Sequence, residues 1–186
     1  MRYKVNEIFY SLQAEGFYAG CPAVFVRLSG CNLKCPWCDT KYHNEGTWYT
    51  KEELEKAVYD IIPSKEVFIV FTGGEPTLQL KEEEELFEGF EKHIETNGTN
   101  PVPSWIDWVT VSPKSDIKIE KADEVKVVYE NGRDEYLESL EDEDYLLFLQ
   151  PLELNGKMNI QETVDFILKH PRYRLSLQFH KMIGVR

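Results

Sequence analysis

Apolar residues along this chain come in short runs separated by polar stretches, and the runs are of two kinds. Residues 23–28, 67–71, 93–96, 108–112, 125–129, 146–150 and 174–179 are rich in β-branched and aromatic side chains, several of them at consecutive positions. Such runs predict strands covered on both faces. Between them the spacing is helical. Thr50 followed by Glu53 is a capping box, and Leu54, Ala57, Val58, Ile61 and Ile62 then share one helical face until Pro63. Asn159 with Glu162 opens a second helix that carries Ile160, Val164 and Ile167 inward as far as Pro171. A third covers 133–141 and buries Tyr136, Leu137 and Leu140, and 78–90 is a weaker helical segment.

Alternating strands and helices imply right-handed crossovers and a parallel sheet. A full eight-repeat barrel takes about 250 residues, and this chain has 186. The expected fold is therefore α/β, an open, partial TIM-like barrel of about six parallel strands with reduced helices. It forms one domain over 1–186. Ligands of such a sheet are expected at the C-terminal ends of the strands. The segments Ser29-Gly30-Cys31, Thr72-Gly73-Gly74-Glu75, Thr96-Asn97-Gly98, Ser112-Pro113-Lys114 and Gln150-Pro151 all fall there.

Composition narrows the function more than the fold. A net charge of −12 argues against duplex nucleic acid as the main partner, because phosphate binding needs a positive field. A small polar metabolite fits better. No apolar run approaches a membrane span, and Met1-Arg2-Tyr3-Lys4 does not lead into a signal peptide, so the cytosol is the expected compartment. The runs Glu82-Glu83-Glu84-Glu85 and Glu141-Asp142-Glu143-Asp144 read as solvated faces. His93 and His170 read as structural or exposed.

The four cysteines carry the chemistry. Cys31, Cys35 and Cys38 lie within eight residues, Cys31-Asn32-Leu33-Lys34-Cys35-Pro36-Trp37-Cys38, too close for a disulfide framework. Clustered thiolates select zinc or an iron–sulfur cluster. Structural zinc closes with four ligands, and an electron-transfer cluster uses four cysteines. Three leave one iron of a cubane open to a reactive ligand. A zinc knuckle completed by His43 stands as the bland alternative. Cys21 is expected to be a structural thiol.

The cysteine spacing and Phe71-Thr72-Gly73-Gly74-Glu75-Pro76 resemble the radical S-adenosylmethionine superfamily. Phe9-Tyr10-Ser11-Leu12-Gln13-Ala14-Glu15-Gly16, Phe25-Val26-Arg27-Leu28-Ser29-Gly30-Cys31-Asn32-Leu33, Cys38-Asp39-Thr40 and Leu175-Ser176-Leu177-Gln178-Phe179-His180-Lys181 narrow the resemblance to the 7-carboxy-7-deazaguanine synthase family. It runs from Tyr3 to the end of the chain.

That resemblance implies a [4Fe–4S] cluster on Cys31, Cys35 and Cys38, whose open iron chelates S-adenosylmethionine and yields a 5′-deoxyadenosyl radical. It implies cofactor contacts from Trp37, Cys38, Asp39, Gly74, Ser112, Pro113, Lys114, Gln150, Pro151 and Leu152, and less securely from Glu95 and Asn97. Glu75 would supply negative charge to the cofactor's ammonium group. Trp37 reads equally as packing. The implied substrate is 6-carboxy-5,6,7,8-tetrahydropterin, bound by Leu12, Gln13, Ala14, Glu15, Arg27, Thr72, His180 and Arg186. Arg27 suits the carboxylate as a bidentate fork, and its alternative is a salt bridge or solvent. Thr40, otherwise a turn residue, would ligate Mg²⁺ shared with the substrate carboxylate. The implied reaction is a radical ring contraction that releases ammonia, within queuosine or 7-deazapurine biosynthesis. A flavodoxin- or ferredoxin-type reductant and a homodimer are likewise implied. A glycyl-radical-enzyme activase shares the cluster and Gly-Gly-Glu-Pro motifs and is the competing enzyme class.

Overall fold

In the computed structural model the apolar runs form strands because each has two faces to bury. Residues 1–38, 44–116, 119–130 and 132–185 are described. In chain order the elements are β1 (Arg2–Leu12), β2 (Pro22–Leu28), β3 (Thr47–Thr50), α1 (Lys51–Tyr59), β4 (Phe68–Gly73), a 3₁₀ turn (Pro76–Leu78), β5 (Lys92–Thr96), β6 (Trp108–Val111), β7 (Glu124–Tyr129), α2 (Asp134–Leu140), β8 (Leu146–Pro151), β9 (Glu153–Leu154), β10 (Lys157–Met158), α3 (Ile160–Lys169), β11 (Tyr173–Leu175) and α4 (Phe179–Ile183). The main sheet runs β11-β8-β7-β6-β5-β4-β2-β1-β3. From β2 to β11 every neighbouring pair is parallel, while β1 joins β2 and β3 antiparallel. The expected open barrel is present, with seven parallel strands and an antiparallel edge. Side chains at alternate positions separate two cores. Val24, Val26, Ile69 and Phe71 pack with Leu54 and Val58 of α1 and Leu137 of α2, while Ala23, Phe25, Phe68 and Val70 pack with Phe9.

β1 has no counterpart among the runs read from sequence. A register shift between Val5 and Glu7 interrupts its alternation. Tyr3 and Val5 accordingly face the larger core and Phe9 the smaller one. The helical segment expected over 78–90 is instead a single 3₁₀ turn followed by loop. A helix there would stack Glu82 on Glu85 at a repulsive spacing. The loop drops Leu80, Leu86 and Phe87 into the core, and Glu55 Oε1 accepts the Phe87 N–H at 3.0 Å.

The α1 capping box forms as read, Glu53 N–H to Thr50 Oγ1 at 3.2 Å and Thr50 N–H to Glu53 Oε2 at 2.8 Å. Ile61 lies beyond the helix and is exposed. α3 turns Thr163 and Phe166 inward and leaves Ile160 exposed. Its Asn159 makes no cap. That amide accepts the Leu152 N–H at 2.6 Å and donates to the Tyr129 carbonyl at 3.0 Å, tying two strand ends together. The strand expected over 174–179 ends at Leu175, because the Phe179 N–H is drawn to the Ala14 carbonyl at 3.2 Å and α4 begins there. The acidic runs are more than solvated faces. Glu85 pairs with the buried Lys92 at 2.8 Å and Glu141 with His170 at 2.7 Å. Among the described residues no helix is long and apolar enough to cross a membrane.

Candidate active site

The inner face of the sheet encloses a cleft of about 930 Å³, lined from β1, β2, β4, β5, β7 and β8, the loops beyond them, and the C-terminal tail. Its lower part was not foreseen. Because β1 runs antiparallel to β2 with Leu12 opposite Pro22, the turn 13–21 leaves at the N-terminal end of the parallel strands. Phe17 stacks on Trp108 at 5.4 Å, and Tyr18 packs on His93 at 4.6 Å and Phe68 at 5.3 Å, which anchors that turn under the barrel. Leu12, Gln13, Ala14 and Glu15 therefore line the cleft from the end opposite to the other motifs.

Gln13 donates from Nε2 to Glu95 Oε1 at 3.1 Å, and its Oε1 accepts the Ala14 and Glu15 N–H groups at 2.8 and 3.2 Å. Glu95 Oε2 also accepts the Thr72 hydroxyl at 2.7 Å. Glu15 pairs through Oε2 with the Lys126 ammonium and through Oε1 accepts Gln178 Nε2 at 2.9 Å. Burial disfavours charge on Glu15, but the Lys126 charge and the bonds from Lys126 and Gln178 outweigh it and hold this carboxyl below its ordinary range. Burial likewise pulls Lys126 down, and Glu15, Glu95 and Glu124 together push it above the ordinary lysine value. Glu124 itself is raised by burial. Arg27 lines the cleft, its Nε 3.6 Å from Glu7 Oε2 and its guanidinium over the Phe9 ring at 5.8 Å. His180 lines the tail side.

Opposite this floor, Cys31, Cys35 and Cys38 all line the cleft, each at least partly exposed. The Leu33 N–H donates to Cys31 Sγ at 3.4 Å and the Cys38 N–H to the Cys35 carbonyl at 3.2 Å, so the loop is closed by its own turns. Burial pushes the Cys35 thiol up, Lys114 pulls it down, and Cys38 and Cys31 add to the rise. Among the described residues no three His, Cys, Asp or Glu side chains meet at one ion position. Cys21 stands outside the cleft lining, packed against the Phe9–Phe25 core.

The Gly73-Gly74 turn is pressed against this loop. A Cβ at Gly73, where φ is +122°, would lie 2.1 Å from the Leu28 carbonyl oxygen, and one at Gly74 would lie 1.9 Å from that of Gly30. Glu75 does not face the cleft. It is fully buried, accepting Thr77 N–H and Oγ1 at 3.1 and 2.6 Å, Thr96 Oγ1 at 2.7 Å and Asn97 N–H at 2.7 Å. The charge expected to meet a cofactor ammonium instead pins the turn to the end of β5. Asn97 Nδ2 in turn donates to Asn32 Oδ1 at 2.9 Å, tying β5 to the cysteine loop.

Gly74, Trp37, Ser112, Lys114, Gln150, Pro151 and Leu152 line the cleft together, whereas Pro113 is buried behind them. Asp39, Thr40, His43 and Arg186 lie outside the described residues.

Residues 25–171 match the Radical SAM superfamily. A protein of Bacteroides thetaiotaomicron called 7-carboxy-7-deazaguanine synthase is 48% identical over 191 residues, covering 100% of both chains. One of the same name from Haemophilus influenzae is 41% identical, covering 98% of this chain and 94% of its own. The crystal structure of QueE from Escherichia coli superposes with a TM-score of 0.77 at 29% identity, covering 96% and 94%. The chain belongs to the 7-carboxy-7-deazaguanine synthase family. It is thus a lyase of the radical S-adenosylmethionine class, with a [4Fe–4S] cluster and S-adenosylmethionine as cofactors. Likeness over the full chain sets the glycyl-radical activase aside.

The cleft fits those cofactors. Three thiols share its upper wall, and the side-chain-free Gly-Gly turn leaves backbone beside them. Sequence reasoning missed Lys126 altogether, although a signal was present. A lysine inside the apolar run 125–129 sits on the face opposite Val125 and Val127, in a strand with both faces covered.

Proposed function

We propose that this synthase converts 6-carboxy-5,6,7,8-tetrahydropterin to 7-carboxy-7-deazaguanine with loss of ammonia. The observation that carries this reading is one cleft with three thiols on its upper wall and a polar floor of Gln13, Glu15, Arg27, Thr72 and Glu95 below. When bound, the cluster and S-adenosylmethionine supply the radical that removes hydrogen from the carboxylated ring carbon.

The chain's own part is to hold and orient. Cys31, Cys35 and Cys38 each give a thiolate to one iron. Gly74, Trp37, Ser112, Lys114, Gln150, Pro151 and Leu152 surround S-adenosylmethionine, with Pro113 shaping its loop from behind and Asp39 following Cys38. Arg27, already near Glu7, offers its guanidinium to the substrate carboxylate. Leu12, Gln13, Ala14, Glu15, Thr72 and His180 hold the ring system, with Arg186 as a further substrate residue. Thr40 would offer a hard oxygen to Mg²⁺, which would supply positive charge for the substrate carboxylate.

The single domain 1–186 works in the cytoplasm, reduced by a flavodoxin- or ferredoxin-type protein. It pairs as a homodimer, for which the exposed Leu168, Phe179, Met182 and Ile183 of α3 and α4 offer apolar surface. The test is anaerobic reconstitution, then mass spectrometry with the pterin, S-adenosylmethionine, Mg²⁺ and a reductant. Formation of 7-carboxy-7-deazaguanine is expected. Cofactor cleavage with the pterin left unchanged would overturn the reading.

A further inference from the structure

Lys126 is the one buried cation among the described residues that line the cleft. A buried ammonium is costly unless its donors are met. Here one donor goes to Glu15 Oε2, and Glu95 and Glu124 stand near enough to stabilise the charge. Glu15 is held from its other side by Gln178, and Glu95 from both oxygens by Gln13 and Thr72. The result is a rigid patch presenting ammonium donors beside carboxylate oxygens, each of which has acceptor capacity beyond the bond named here. Glu124 is excluded from that face, since its carboxylate accepts the Phe17 N–H at 2.7 Å beneath the floor.

The geometry points to Lys126 as a specificity-determining residue: its ammonium donates to the ring carbonyl of a 2-amino-4-oxopyrimidine edge while Glu15 and Glu95 accept the adjacent ring N–H and amino group. Donor, acceptor, acceptor on the protein then meets acceptor, donor, donor on the ligand. This deepens the pterin reading above and rests on it. A carbonyl replaced by an amino group would set donor against donor at Lys126 and strip the adjacent ring nitrogen of its hydrogen, so that this nitrogen meets a carboxylate as acceptor against acceptor; a site built to bond one group rejects an analogue lacking it.

The test is anaerobic binding to the reconstituted protein with S-adenosylmethionine bound. The probes are 6-carboxypterin, whose C6 carries no hydrogen to remove, and 2,4-diaminopteridine-6-carboxylate, in which the carbonyl is an amino group. The wild type is expected to favour the first by tenfold or more. Lys126→Met is expected to weaken 6-carboxypterin about 10- to 100-fold, the worth of one charged hydrogen bond, and to lower the preference by at least the same factor, the remainder being the mismatch between the ring nitrogen and its carboxylate. Where Lys126→Met leaves Glu15 buried and unpaired and fails to fold, Glu15→Gln with Lys126→Met removes both charges and must lose the same preference. A folded variant that binds both compounds more weakly but keeps the wild-type preference would show Lys126 to be structural only, and the inference would fail alone. A wild type that binds neither compound would overturn the inference and the pterin reading together.

Discussion

Replacing Gly74 by alanine puts a methyl carbon 1.9 Å from the Gly30 carbonyl oxygen, 2.5 Å from its carbon and 3.1 Å from the Cys31 nitrogen. Ordinary contact begins near 3.4 Å, so the turn and the start of the cysteine loop must separate by about 1.5 Å (3.4 − 1.9). All three obstacles are backbone, and none can swing aside. The separation breaks two hydrogen bonds that join the segments, Gly74 N–H to the Leu28 carbonyl at 3.0 Å and Glu75 N–H to the Gly30 carbonyl at 2.8 Å. At about 0.5–1.5 kcal/mol each, with about 1–3 kcal/mol for overpacking, the expected loss is about 2–6 kcal/mol. Urea unfolding of the apo-protein measures the stability, and iron and sulfide analysis after reconstitution measures the displacement of Cys31. We expect a lower midpoint and a clear fall in iron per chain. Wild-type stability together with wild-type iron content in Gly74→Ala would refute the argument that this contact sets the cysteine loop.

Serine at Cys31, Cys35 or Cys38 is expected to abolish stoichiometric iron binding, whereas Cys21→Ser, outside the cleft, keeps it; iron and sulfide analysis of the four variants decides. Glu75→Gln turns an amide NH₂ toward a hydroxyl or N–H that now donates to a carboxylate, and should cost about 1.5–3 kcal/mol in urea unfolding. His93 is stacked on Phe68 at 4.1 Å, and burial lowers its pKa despite the opposing pull of Glu91. The folded form therefore binds fewer protons than the unfolded chain below about pH 6.5, and its stability falls as pH drops through that range. His93→Gln should show a shallower loss of urea midpoint between pH 7.5 and 5.5, and an unchanged slope would count against the assignment.

Much of the barrel was legible because strands covered on both faces leave continuous apolar runs. The α1 capping box at Thr50 and Glu53 was legible for a similar reason, since both bonds are local. What escaped depends on distant partners. The bulge between Val5 and Glu7 exchanges the faces of β1, so neither a helical nor a strand period runs through it. Loop 78–90 is ordered by α1 side chains that no local pattern announces. In the site, the cysteine loop could be read from spacing alone, yet Glu75 was assigned to the cofactor when its partners are Thr77, Thr96 and Asn97. Segment 12–15 could be named but not placed, because its position follows from the antiparallel pairing of β1. Lys126 shows the opposite failure. Its charge inside an apolar run was visible, and only the pairing with Glu15, 111 residues away, gives it meaning.

The most direct test of the account is electron paramagnetic resonance of the reduced, reconstituted protein during titration with S-adenosylmethionine. Three thiols facing the cleft predict a [4Fe–4S]⁺ signal that shifts with the added cofactor and saturates at one molecule per cluster. A signal that S-adenosylmethionine leaves unmoved, or a protein that takes up zinc in place of iron and sulfide, would contradict it.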